Sequence, residues 1–248
     1  MRLTERDIEL LLDAWPQLRR LPVTESQIVS VAGPLRFSMQ PPGLPLIEDC
    51  YSIRIDISLG RTEFGPQVYE VGGRIPRELD NHINVGGAGS LCLGSPWSVM
   101  RKLGRPPNLV RFVDTCIVPF LYAATWREQG NEGFPFYELR HGLGGLEDDY
   151  SDILGLKGAD QIEAALYALT LRPRLANRLR CPCGCGKRLG RCSFRLRLKR
   201  HRAELPRSTF RATLARLQEA TSIRESRVGG QVNTAYLPED HGRGQLPA

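Results

Sequence analysis

Tyr51-Ser52-Ile53-Arg54-Ile55-Asp56-Ile57-Ser58-Leu59 sets a large apolar side chain at every second position with polar residues between them. Successive side chains of an extended chain point to opposite faces, so this period of two describes a strand with one buried and one wet face, as in an antiparallel sheet. Toward the N-terminus, residues 35–39 and 27–31 form two further strands around Gly33-Pro34, a pair that favours a turn. Earlier still, Thr4 and Asp7 resemble a capping box with Asp in place of the usual Glu, and Ile8, Leu11, Leu12 and Trp15 recur at helical spacing. In the other direction residues 67–71 offer a short fourth strand.

About 35 residues rich in Gly, Pro and Asn follow, with little periodicity, and a loop of that length in a compact domain is usually functional. Helical spacing returns at Leu109, Phe112, Val113, Cys116 and Phe120, where Pro119 should kink the helix. A last periodic stretch covers residues 160–171, with Ile162, Leu166 and Leu169 on one face. No internal repeat is present, and beyond about Ile223 the pattern fades into an expected frayed tail. The order helix, antiparallel strands, long loop, helices points to an α+β fold.

At 248 residues the chain can hold one core of ordinary size and an appendage. Charges in the first seven residues oppose a secretory segment, and Asp114 interrupts the apolar stretch 112–126, so neither export nor a membrane span is expected. Seven cysteines, four of them crowded together, suggest metal ligands in a reducing cytoplasm rather than a disulfide framework. The net charge of +7 is local: residues 172–202 hold twelve Lys or Arg and no Asp or Glu, which leaves 22 basic against 27 acidic residues elsewhere.

The chemistry concentrates in His82-Ile83-Asn84-Val85-Gly86-Gly87-Ala88-Gly89-Ser90-Leu91-Cys92-Leu93. Residues 81–100 contain no Asp, Glu, Lys or Arg, so no sequence neighbour supplies a fixed charge to the Cys92 thiol. That suits a thiol that holds an acyl group without a resident base to activate water against it. Three glycines in four residues let the chain turn back and bring the Asn84 carboxamide toward Cys92, where its N–H would face the oxyanion of an attacked thioester. His82 is read as a brace for the loop, and Cys50 and Cys116 as small buried hydrophobes. A nucleotide cradle is rejected, because Cys92 stands where a dinucleotide fingerprint needs glycine and no Gly-Lys-Ser/Thr follows.

These residues resemble the active-site loop of ubiquitin-conjugating enzymes, in which His-Pro-Asn precedes Gly-x-Ile-Cys-Leu at the same spacing. His82, Asn84, Gly89, Leu91, Cys92 and Leu93 occupy those positions, while Ile83 replaces the proline and the tryptophan beyond the cysteine comes early, at Trp97. The likeness extends to element order over residues 1–170, and Arg74-Ile75-Pro76 and the segment from His141-Gly142 to Tyr150 are similar to the divergent bacterial members. It implies a conjugating-enzyme fold with a four-stranded meander, transthiolation of a ubiquitin-like modifier onto Cys92, and transfer to a lysine or other nucleophile. His82 and Asn84 would assist, without a cofactor for catalysis. It also implies as partners an activating enzyme, the modifier, a target protein and a deconjugating protease from the same operon, in a role such as phage defence.

Cys181-Pro182-Cys183-Gly184-Cys185-Gly186-Lys187-Arg188-Leu189-Gly190-Arg191-Cys192 suits tetrahedral thiolate coordination of structural zinc. It resembles the short motif at the end of the bacterial secretion ATPase, except that Ser193 stands at the fourth ligand position, so Cys185 or His201 would complete the set. The surrounding basic band is compatible with nucleic acid or an acidic protein; the lack of interleaved aromatic residues argues against single-strand stacking, and nucleic acid is not favoured as the partner. The expected organisation is a conjugating-enzyme-like domain (1–170), a basic zinc segment (171–205), and a helix with a flexible tail (206–248). Two rival functions remain open. One is a cysteine hydrolase pairing Cys92 with His82 or His141; the other is a non-catalytic zinc-bearing module that binds nucleic acid or protein.

Overall fold

The structure is a computed structural model that describes residues 2–22, 27–61, 64–84, 89–136, 140 and 142–231. The chain enters through a two-residue strand, β1 (Arg2–Leu3), and helix α1 (Glu5–Ala14). The capping box forms with its Asp: the Asp7 carboxylate accepts from the Thr4 N–H at 2.8 Å and the Thr4 hydroxyl at 2.7 Å. Ile8 and Leu11 face the core.

Strands β2 (Arg19–Arg20), β3 (Ile28–Met39) and β4 (Ile47–Ser58) follow, then β5 (Gly60–Arg61), which pairs with β1, and β6 (Gln67–Glu70). The main sheet is a four-stranded antiparallel meander in the order β2-β3-β4-β6. Tyr51, Ile53, Ile55 and Ile57 are fully or almost fully buried and stand opposite Leu35, Gly33, Val31 and Val29 on one face. Each apolar side chain so buried contributes about 1.5–3 kcal/mol. The other face is polar, with Ser30 donating to Asp56 at 2.7 Å and Arg54 paired with Asp56 at 3.1 Å.

The strand count is as expected but its makeup differs. Gly33-Pro34 does not break the chain: residues 28–39 form one strand, and the first strand of the meander is the short β2. Pro34 stands opposite Ser52, whose carbonyl turns outward to accept from Val71 N–H at 2.9 Å. That pair therefore exchanges no ladder hydrogen bond, and the missing proline donor costs nothing there. Gly33 is needed for close approach, since a Cβ would sit 2.4 Å from the Gln17 carbonyl oxygen.

The Gly- and Pro-rich stretch after β6, which lacks clear periodicity in the sequence, contains helix α2 (Pro96–Leu103), with Trp97, Met100 and Leu103 buried. Ser95 caps it by accepting from Ser98 N–H at 3.1 Å. Next, α3 (Leu109–Phe112) passes through a π-helical turn (Val113–Ile117) into α4 (Val118–Glu128). The irregularity expected at Pro119 thus lies just before it, as a wider turn. By length and composition Leu109–Glu128 could cross a membrane, but 61% of its most apolar window is buried inside the structure, as in a core helix.

Helices α5 (Gly142–Leu154), α6 (Ala159–Thr170), α7 (Pro173–Ala176), α8 (Phe194–Glu204) and α9 (Arg207–Gln231) complete the described chain. The last helix packs on α6, α5 and α2 through Phe210 and its neighbours. It runs past Ile223, where the periodicity was expected to fade; the tail 232–248 lies outside the described residues. One apolar cluster runs from Leu3 to Leu217, so the C-terminal helices share the core of the sheet.

Candidate functional site

The loop from β6 to α2 is held at both ends. At its start, the buried Glu70 carboxylate accepts from the N–H groups of Gly72 at 2.7 Å and Arg74 at 3.0 Å. Arg74 then binds both Asp49 oxygens at 2.7 Å, reaches Glu128 at 2.9 Å and lies 4.3 Å over the Tyr51 ring. Thr125 joins the group by donating to Asp49 at 2.6 Å. Desolvation opposes the Asp49 charge, but hydrogen bonds from Arg74, Thr125 and the Cys50 N–H outweigh it and hold the carboxyl below its ordinary value.

Farther along, Ile83 and Leu91 form an antiparallel bridge. The Cys92 N–H donates to the His82 carbonyl at 2.7 Å and the Asn84 N–H to the Ser90 carbonyl at 2.8 Å, while the Leu91 N–H ties this small ladder to Val68 of β6 at 2.7 Å. Side chains alternate across a ladder. Ile83 and Leu91 are buried at 3% and 5%, and the residues flanking them, His82, Asn84 and Cys92, line a cleft of about 1030 Å³. Cys92 is half-buried, with His82 directly opposite and Asn84 one diagonal step away.

Each flanking residue has a defined neighbour. His82 adopts φ 53°, and its ring packs perpendicular to that of Phe134 with centroids 4.5 Å apart. Phe134 also lies against Arg127, 5.2 Å from its ring and bonded to Asn81 Oδ1 at 3.0 Å and to the Asp80 carbonyl. Asn84 Nδ2 donates to Ser90 Oγ at 3.0 Å. Gly89, at φ 75°, takes a conformation that favours glycine, whereas Gly86, Gly87 and His141 lie outside the described residues.

The remaining cleft wall includes Phe120, Phe136 and Leu146, together with Arg216 and Glu219 from α9. Asp149 of α5 also reaches it, accepting from the hydroxyls of Ser95 and Ser98. Asp149, Arg216 and Glu219 are not marked in the sequence, because nothing local places a carboxylate 57 positions from the cysteine in the same cleft. Cys116 is buried and its thiol is pushed up by desolvation. Cys50, expected to be buried, is only half so, because it alternates with the buried Tyr51 and falls on the polar face of β4.

The second cluster is built on a tight hairpin closed by a bridge between Arg180 and Arg188 and by the Cys181 N–H donating to the Lys187 carbonyl at 2.8 Å. Gly184 and Gly186, at φ 78° and 73°, permit the turn. The sulfurs of Cys181, Cys183, Cys185 and Cys192 all lie within 4.8 Å of one another, and all seven cysteines are free. A zinc–sulfur bond of about 2.3 Å gives a tetrahedron with sulfur–sulfur edges of about 3.8 Å, so the set fits one metal ion and is compatible with zinc. The Phe194 N–H at the start of α8 donates to Cys192 Sγ at 3.5 Å and draws this thiol down to about 7. Cys185 supplies the fourth sulfur. His201 lies elsewhere, buried with its ring 5.1 Å from Trp97 and Nδ1 3.5 Å from Glu204.

No protein-family model matches this chain, and no curated protein and no solved structure matches it.

Proposed function

We propose that the chain is a cysteine carrier of a ubiquitin-like protein, related to the ubiquitin-conjugating enzymes, with Cys92 as the acceptor. The observation that carries the proposal is the ladder beside Cys92, which sets a half-buried thiol on the cleft with His82 opposite and Asn84 diagonal to it. The order of a leading helix, a sequential antiparallel meander, a cysteine loop and trailing helices supports the same reading. The departure at Ile83 is compatible with it. The Ile83–Leu91 pair exchanges no ladder hydrogen bond, so the position that is proline in the family contributes no N–H to the ladder here either.

In this reaction the Cys92 thiolate attacks the thioester carbonyl of a loaded activating enzyme. A new sulfur–carbon bond forms, and the enzyme's thiolate leaves. In the second step a lysine amine attacks the Cys92 thioester, loses its proton to solvent or base, and expels the Cys92 thiolate as the amide forms. The Asn84 amide, which donates to Ser90 Oγ at 3.0 Å and lines the same cleft as Cys92, would turn from Ser90 to stabilise the oxyanion of that step. His82 braces the loop through Phe134. The four-thiol cluster would hold structural zinc, since four protein ligands leave no open coordination position.

The test is a loading reaction with ATP, an activating enzyme and a ubiquitin-like protein. The expected product is an adduct cleaved by reductant, converted by Cys92→Ser into a reductant-resistant ester and absent in Cys92→Ala. A reductant-sensitive adduct that persists in Cys92→Ala would assign the nucleophile to another cysteine.

A further inference from the structure

The thiol hairpin and the helix after it present a surface unrelated to Cys92. Arg180 and Arg188 stand opposite one another across the hairpin, and both are exposed. Like charges placed so are destabilising unless an anion lies between them or beyond them. No acidic residue occurs within residues 172–202 to supply one. Some arginines elsewhere are paired: Arg20 with Glu5, Arg74 with Asp49 and Glu128, and Arg140 with Asp148. Among the described residues, Arg180, Lys187, Arg188, Arg195, Lys199 and Arg200 are all exposed and none forms an ion pair.

The fold gathers these cations. The Cys192 sulfur lies within 4.8 Å of the hairpin sulfurs and so fixes the foot of α8 against the hairpin. Leu198 and His201 turn inward from α8, which leaves Arg195 and Lys199, one helical turn apart, and Arg200 on its outer side. The hairpin cations and those of α8 therefore belong to adjoining parts of one surface.

We propose that this face binds the phosphate backbone of double-stranded nucleic acid. A duplex carries one negative charge per about 1.7 Å of axis, a density that suits a stretch with twelve cations and no carboxylate among residues 172–202. Protein surfaces intersperse both signs, so an acidic protein would be matched by a face that kept some carboxylates of its own. Ten of the twelve basic residues are arginine, whose planar fork binds phosphate through two parallel hydrogen bonds. Phe194 is buried, so the segment offers no exposed Phe, Tyr or Trp on which unpaired bases could stack, and this selects duplex over single strand. Backbone contacts of this kind position a protein without reading sequence.

The test is fluorescence anisotropy of labelled DNA and RNA duplexes with the full chain over a salt titration. Six phosphate contacts should give a slope of log K against log salt of about −5. The triple variant Arg188→Ala, Lys199→Ala, Arg200→Ala should be shallower by about 3 units, each lost contact removing about 0.9. It should keep its far-ultraviolet circular dichroism, since these side chains are exposed. The control triple Arg2→Ala, Arg6→Ala, Arg36→Ala should retain the original slope. Binding to both duplexes, or to one alone, supports the proposal and identifies the nucleic acid. No binding at the lowest salt, an unchanged slope in the first triple variant, or binding to anionic phospholipid vesicles without binding to either duplex would overturn it.

Discussion

Cys92 and His82 face each other across the loop ladder, the Cys92 N–H donating to the His82 carbonyl at 2.7 Å while the His82 backbone holds φ 53°. That conformation costs a non-glycine residue about 1–2 kcal/mol. The surrounding packing must maintain it, and the perpendicular contact between Phe134 and the imidazole is part of that packing.

The brace role makes His82→Asn informative, because Asn tolerates a left-handed backbone better than most residues. Loading of Cys92 should fall by no more than about tenfold. A general base would be worth about 100 to 10,000-fold. Single-turnover loading rates separate the two, and a loss in the upper range would make the imidazole catalytic.

For Asn84→Ala, loading should stay nearly intact while discharge to free lysine slows by about 100 to 1,000-fold, the usual worth of one oxyanion donor. Ser90→Ala removes the present partner of the Asn84 amide at 3.0 Å and should leave discharge at least as fast. Equal slowing of loading and discharge in Asn84→Ala would show that the side chain only shapes the loop.

Elemental analysis of the purified protein should find about one zinc per chain. Because Cys185 completes the thiol set and His201 packs on Trp97, Cys185→Ser should lower metal content and His201→Gln should not. Chelation should lower the melting temperature, since metal binding and folding are coupled. The opposite pattern in the two variants would move the fourth ligand to His201.

The group around Arg74 predicts a dependence on acid. The folded value of Asp49 lies below its ordinary 3.8, so the fold favours the charged carboxylate. Its contribution is complete above the unfolded value, near pH 4, and is lost as pH falls through the lower folded value. Asp49→Asn should therefore cost about 2 kcal/mol at pH 7, the scale of hydrogen bonds to a charged group. Urea midpoints of the two proteins should converge as pH falls from about 4 toward 2. A constant difference over that range would contradict the assignment.

Much of the sheet is legible in the sequence because a half-buried antiparallel strand writes its two faces as alternating residues, as 51–57 do. Gly33-Pro34 misleads because the dipeptide has the composition of a turn. Only the pairing of Pro34 with Ser52 and the approach of Gln17 to Gly33 make an uninterrupted strand suitable there. Helix α2 was marked locally by Ser95-Pro96 at its start and Gly104 just beyond its end. Its short apolar pattern was hidden among the surrounding glycines and prolines. The four-thiol spacing was readable for the same reason as the strand, because its members are close in the chain.

By itself, the sequence determined the helix starts with local caps, the alternating strand, the concentration of thiols in residues 181–192 and the basic band around them, since each depends on neighbours a few residues apart. Tertiary structure alone decided that Cys185 rather than His201 joins the other three thiols, that Asp149 and α9 help to form the cleft of Cys92, and that Arg74 meets both Asp49 and Glu128. Those relationships depend on how packed elements bring distant residues together, and no local periodicity records such a distance.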